Sequence, residues 1–168
     1  MQPRPGGAVG LVTPLSGFRM KLIARAIASR LDDRLDEWHD LVHMDAAARW
    51  HARLHGMADH DVWLESWLPG QGAGWHDHGG SASVMVVARG ELEERIPLLG
   101  GFMTQVRRIP EGMARPLRRR QVHELVNVSR TPALSVHVYS PPLEATRGYE
   151  IGARGLRRSA GDRATADR

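Results

Sequence analysis

The chain predicts an all-β core, a small antiparallel barrel with helices packed on it from the N-terminal side. From Arg19 the apolar residues Leu22, Ile23, Ala26, Ile27 and Leu31 recur at spacings of three and four, the period of a helix. Beyond residue 60 the pattern changes to short runs with strand character, separated by Gly, Pro, Ser and Asn. These runs cover residues 62–68, 84–88, 91–96, 103–109, 121–126 and 133–139. Short strands at regular spacing after a helical N-terminal third indicate a closed barrel with a helical flank.

Taken in order, residues 1–17 are rich in Gly and Pro and read as a loose lead-in. A helical part spans 18–56: a first helix from Arg19 that ends at Asp32-Asp33, a second over 35–44 and a short third over 46–54. The barrel occupies 60–150, its first strand stopped by Pro69-Gly70 and a later turn marked by Gly90. Residues 18–150 form a single domain, with no internal repeat. The remaining 151–168 are polar and Arg-rich, with little to bury, and are expected to be mobile.

Composition narrows the classes. A hydrophobic content of 42% and a charged content of 25% are those of a globular domain large enough to bury a core. The absence of cysteine excludes disulfides and thiolate metal ligands. No apolar run approaches the roughly 18 residues of a membrane span, and Met1 to Gly10 lack the layout of a secretory signal. A cytoplasmic enzyme or binding protein, acting as a monomer, is the expectation. The charge of +4 comes almost entirely from arginine, Lys21 being the only lysine. Clusters at Arg107-Arg108, Arg118-Arg119-Arg120 and Arg157-Arg158 lack interleaved aromatics or a recognition-helix signature, so no nucleic-acid partner is expected.

The chemistry concentrates in a few residues. His76-Asp77-His78 follows Gly70 by six residues and precedes Gly90, and His123 is followed four residues on by Asn127. On a strand, side chains two apart share a face, so His76 and His78 point together while Asp77 points away. A third imidazole from a distant strand completes a set of three neutral ligands and leaves other positions open, as a catalytic metal site requires. The pairs His39/His43 and His51/His55 have helical spacing but no accompanying acid of the zinc-protease kind. They read as surface or helix-packing residues.

These spacings resemble the two motifs of the cupin superfamily, a double-sheet β-barrel with its metal inside; Ser83 stands where the first motif has Glu. The resemblance becomes closer over about residues 49–149. Trp67-Leu68-Pro69-Gly70-Gln71, His76-Asp77-His78-Gly79-Gly80-Ser81, Gly90-Glu91-Leu92, His123-x3-Asn127-Val128-Ser129 and Ser135-Val136-His137-Val138-Tyr139-Ser140-Pro141-Pro142 are similar to the core of the cysteine dioxygenase family. That resemblance implies ferrous iron held by His76, His78 and His123. It also implies an outer hydrogen-bonded triad of Ser135, His137 and Tyr139, and oxidation of a small thiol, foremost L-cysteine, by dioxygen to the sulfinic acid.

The substrate would chelate the metal through sulfur and amine. Its carboxylate would pair with Arg53, fourteen residues before Trp67, or with Arg49 one helical turn away. His51 stands where many members have Tyr. The cysteine–tyrosine cross-link of animal members cannot form, because its position is Ser83. Two alternatives stand beside this reading: a dioxygenase for another thiol such as 3-mercaptopropionate, and a non-catalytic metal-dependent binding module. Three imidazoles would accept zinc, nickel or copper as well as iron.

Overall fold

The computed structural model describes residues 12–33 and 42–164, without the side chains of 32, 33 and 160–164. One helix, α1 (Gly17–Asp33), precedes eleven strands: β1 (Trp50–Gly56), β2 (Asp61–Trp67), β3 (His76–Asp77), β4 (Ala82–Arg89), β5 (Glu91–Leu98), β6 (Met103–Pro110), β7 (Ala114–Leu117), β8 (Glu124–Val126), β9 (Ala133–Ser140), β10 (Ala145–Gly152) and β11 (Gly155–Ala164). They form a five-stranded sheet ordered β1-β2-β9-β4-β7 and two three-stranded sheets, β11-β10-β3 and β6-β5-β8. Isolated bridges between His76 and His123 and between Gly72 and Val126 connect the smaller sheets, so that together they form the second wall of a double-sheet barrel. This is the small cupin fold.

The central strands of the five-stranded sheet, β2, β9 and β4, are buried on both faces, and alternation assigns their residues to two separate jobs. Val62, Leu64, Val84, Val86, Val136 and Val138 point outward and pack beneath α1, which buries Met20, Ala24, Ala28 and Leu31 against them. Trp67, Met85, Val87 and Ala133 point the other way, into the barrel, where they meet Leu92, Ile109 and Leu125 of the facing sheet. The buried stripe of α1 is thus centred on Met20, Ala24, Ala28 and Leu31, flanked by Ile23 and Ile27, while Leu22 from the expected stripe is 52% exposed. Ser16 starts the helix: its Oγ accepts the Arg19 N–H at 3.3 Å and its carbonyl the Met20 N–H at 3.0 Å.

Two expectations are corrected. The third helix over 46–54 does not exist; Trp50–Gly56 is strand β1, antiparallel to β2. Histidines four apart share a face of a helix and equally a face of a strand, and here the sheet supplied the main-chain partners. The second helix over 35–44 falls mostly on 34–41, outside the described residues, and 42–44 are not helical.

The Arg-rich tail is not loose up to Ala164, because Gly155–Ala164 pairs with β10 along its length. A strand needs main-chain partners rather than apolar side chains, and Gly152↔Gly155 closes the hairpin that provides them. Gly155 adopts φ +87°, and a Cβ there would lie 2.4 Å from the Gly100 carbonyl, so the hairpin docks on that turn only through glycine.

Among the described residues no helix is long and apolar enough to cross a membrane. Leu64, fully buried at the helix–sheet contact, tests the packing: Leu64→Ala should cost about 2–5 kcal/mol by chemical denaturation. A loss under about 1 kcal/mol would contradict this core.

Candidate metal centre

Strand β3 is two residues long, and its main chain is pinned on both sides. It pairs with β10 through Gly148↔His76 and Arg147↔Asp77. On its other edge His76 N–H donates to the His123 carbonyl at 2.8 Å and His123 N–H to the His76 carbonyl at 2.9 Å. Asp77, pointing away from the histidines, is a structural clasp. Its Oδ1 accepts the Gly79 N–H at 2.7 Å and its Oδ2 the Tyr149 hydroxyl at 2.6 Å.

The structure brings the three expected ligands together. One ring nitrogen from each of His76, His78 and His123 lies within 4.8 Å of the others, and Nε2 of His76 and His78 are 3.2 Å apart. The opposite ring edges are engaged elsewhere. His76 Nδ1 donates to the Gly74 carbonyl at 2.8 Å, which can only accept, so its Nε2 carries a lone pair. Ser83 Oγ lies 3.3 Å from His78 Nδ1.

Behind His123, Glu94 Oε1 lies 3.3 Å from Nδ1. The alignment is too poor for a formed hydrogen bond, and both atoms are buried without one. The contact is charge to dipole, and it orients the N–H of His123 toward the carboxylate. Glu94 is itself 0% exposed and held by Arg115 Nε at 2.5 Å.

His123 Nε2 is buried with no hydrogen-bonding partner. Lone pairs converging with no proton to share are stabilised by a cation, and the three histidines fit a metal ion. Burial holds all three imidazoles below the ordinary histidine range, most strongly His78 and His123, where neighbouring rings add to the effect. They are neutral near pH 7, as metal ligands must be.

Beside them runs the expected triad. Ser135, His137 and Tyr139 share the inner face of β9, with Ser135 Oγ 2.8 Å from His137 Nε2 and Tyr139 OH 3.4 Å from His137 Nδ1. Trp67 Nε1–H, which can only donate, reaches Ser135 Oγ at 2.9 Å. Both ring nitrogens of His137 are thus engaged, Nε2 by Ser135 and Nδ1 by the Tyr139 hydroxyl, which borders the cavity. The Tyr139 ring stands edge-on to His78, centroids 4.9 Å apart. Burial, with Glu65 adding, raises the phenol well above its ordinary range and keeps it protonated. Ser83 is the cross-strand partner of Tyr139, so the residue in the cross-link position steadies His78 instead.

Arg53 does not reach this site. Its guanidinium lies 3.7 Å from Asp61 Oδ1, its side chain is 42% exposed, and it does not line the cavity. The arginine that does is Arg49, stacked 4.5 Å over the Trp67 ring and ion-paired with Glu65. Counting residues back from Trp67 cannot follow the hairpin between them, and a bulge between Arg53 and His55 redirects the end of β1. His51 also lines the cavity, facing Trp63. Asn127 binds no ligand: its Nδ2 donates to the carbonyls of Trp67 and Thr131, and its Oδ1 accepts from Ser129, tying the loop after β8 to β2.

Sequence reasoning missed Glu65 and Glu94. Glu65 and Asp61 are the two acids at inward positions of β2, and of these Glu65 lines the cavity, a signal half available once that strand's faces are assigned. Burial pushes its carboxyl up, but Arg49 and His137 outweigh that and bring it down to about 2. The cavity it borders has a volume of about 500 Å³ and is open to His76, His78 and Tyr139.

Residues 20–151 match the model of the cysteine dioxygenase type I family. The chain belongs to that family. It is accordingly an oxidoreductase of cupin fold. Among solved structures it resembles a conserved protein with a double-stranded β-helix domain from Klebsiella pneumoniae subsp. pneumoniae, at 20% identity, covering 73% of this chain and 94% of that one with a TM-score of 0.55. The TT1209 protein of Thermus thermophilus is similar at 25% identity, covering 62% and 93%, with a TM-score of 0.53. KdgF from Halomonas sp. shares the fold at 17% identity, 61% and 88% coverage and a TM-score of 0.52. No curated protein matches the chain by sequence.

The carboxylate behind His123 sets the ligand's orientation and basicity, so Glu94→Gln should weaken metal binding about 10–100-fold in competition with a chelator. Unchanged affinity would remove that role. Because the folded pKa of Glu65 is depressed from 4.5 to about 2, its stabilising contribution is complete above pH 4.5 and is lost as pH falls toward 2. The stability gap between wild type and Glu65→Gln should shrink across that window. A gap independent of pH there would contradict the ion pair.

Proposed function

We propose that this protein is a mononuclear non-haem Fe(II) thiol dioxygenase that oxidises L-cysteine to cysteine sulfinate. The observation that carries the reading is the convergence of three neutral imidazoles with a hydrogen-bonded Ser–His–Tyr chain that places a phenolic hydroxyl beside them. A pure binding module has no use for that chain. Both oxygen atoms of O2 pass to sulfur, RSH + O2 giving RSO2H, so no external reductant is consumed. Iron, when bound by His76, His78 and His123, supplies the site where thiolate and dioxygen meet.

The chain's own residues do the rest. Three uncharged ligands leave the full charge of a dication in place, which favours an anionic thiolate over a neutral thiol. Tyr139, kept neutral, offers its O–H to the oxygen or sulfur at that open side. Ser135 and His137 position that hydroxyl. Trp67 closes one wall and holds Ser135, while Trp63, Tyr139 and Leu143 form an apolar cluster nearby. Orientation and selective hydrogen bonding of this kind are what a protein contributes to metal oxygen chemistry.

The test is anaerobic reconstitution with ferrous iron, then oxygen uptake and sulfinate detection with L-cysteine and 3-mercaptopropionate in parallel. One sulfinate per O2 is expected; one bound iron without uptake on either thiol would overturn the reading. Tyr139→Phe should keep its iron and lower kcat by about 100-fold or more, the scale of one general-acid contact. Undiminished turnover would take Tyr139 out of the chemistry.

A further inference from the structure

The turn between β5 and β6 is apolar where turns are ordinarily polar. From Ile96 to Met103 no residue carries a polar side chain, whereas turns draw on Asn, Asp, Ser and Gly. Leu98, Leu99, Phe102 and Met103 are 41%, 73%, 70% and 56% exposed. None of them belongs to the core or lines the cavity. Leu99 adopts φ +48°, a conformation that suits Gly, Asn or Asp and strains leucine. Neither folding nor the metal centre accounts for a strained, exposed leucine at a hairpin tip. A run of exposed apolar residues of this kind marks a contact surface.

The tip is held in place and flanked by positive charge. The turn of the β10–β11 hairpin docks against it, with Phe102 Cε2 3.4 Å from where a Cβ on Gly155 would stand. Ile151, exposed and paired across that hairpin with Leu156, extends the apolar face. Arg154 is exposed in the same turn, and Arg107 is exposed on the face of β6 that carries Met103. Neither arginine forms an ion pair among the described residues. The acids of β5 and β10, Glu91, Glu93, Glu94 and Glu150, are each already paired with an arginine.

We infer that these two hairpin tips dock the protein on an anionic lipid bilayer, with Leu99 and Phe102 entering the headgroup layer and Arg154 and Arg107 meeting lipid phosphates. Size and charge choose this partner. The five apolar side chains at the two tips fall far short of the roughly 20–30 residues a side of a stable protein–protein interface. A second copy meeting the same tip across a two-fold axis would set arginines against arginines. A bilayer demands neither a large area nor a matching shape. It accepts a protruding apolar tip, and its anionic headgroups attract the basic residues beside it. The contact is with the membrane surface, and it is independent of the chemistry at the metal centre.

The experiment sediments the full chain, loaded with iron, with vesicles of phosphatidylcholine alone and of phosphatidylcholine with an equal part of phosphatidylglycerol. Wild type should bind the anionic vesicles about tenfold or more tightly than the neutral ones, with the difference shrinking in high salt. Leu99→Asn combined with Phe102→Ser should lower that binding about tenfold or more. Iron content, thermal midpoint and thiol turnover should stay at their wild-type values, since asparagine suits the backbone of residue 99. Arg154→Glu, a single exposed change, should weaken binding to the anionic vesicles and leave the weaker binding to neutral ones unchanged. No binding by wild type, equal binding to both vesicle types, or binding undiminished in either variant would overturn the inference. A wild type that is dimeric without lipid and monomeric in the double variant would also overturn it, assigning the tip to a second copy.

Discussion

Two main-chain hydrogen bonds between His76 and His123 join the β11-β10-β3 sheet to the β6-β5-β8 sheet, and the rest of the site depends on them. Residues that exchange both hydrogen bonds across an antiparallel pair present their side chains side by side on one face. The two imidazoles consequently lie with centroids 4.6 Å apart, and His78 joins them because it is two residues further along the same strand direction. Closing the second wall of the barrel and assembling the metal ligands are thus one event. Asp77, on the opposite face, holds Tyr149 and the Gly79 turn, so the short strand carrying two ligands is fixed by contacts on its other side.

The opposing wall works by separating its two faces. Its outward valines and Leu64 bind α1 and provide the apolar burial, which leaves the inward face free to carry Glu65, Ser135, His137 and Tyr139. Polar groups buried in that number are tolerable only as a connected set. Trp67, Ser135, His137 and Tyr139 form one connected chain, and Arg49 and Glu65 neutralise each other beside it. A second ion pair, Arg115 with Glu94, backs His123 from within the barrel. The charges near the metal centre are therefore paired, while the ligands themselves are neutral.

The barrel was legible because its central strands alternate and are bounded by Gly, Pro and Asn, and α1 because its apolar residues recur at helical spacing. Strand β1 was not, since Arg49, His51 and His55 fit a helix as well as a strand until a partner is known. Nor was β11, whose polar residues are ordered by main-chain pairing with β10 rather than by burial. Glu94 could not be assigned a place behind His123, because the two are 29 residues apart and meet only through the β5–β8 pairing.

By itself the sequence determined which histidines can act together and that Ser135, His137 and Tyr139 share a face, because alternation along a single strand is a local property of the backbone. It also determined that no cysteine thiolate of the chain and no cysteine cross-link takes part. Only the tertiary structure decided that Arg49 rather than Arg53 borders the cavity, that Glu65 lines it, and that Glu94 stands behind a ligand. Those placements depend on hairpin length, a bulge and cross-strand register, which are set by pairing between distant segments and leave no periodic trace in the chain.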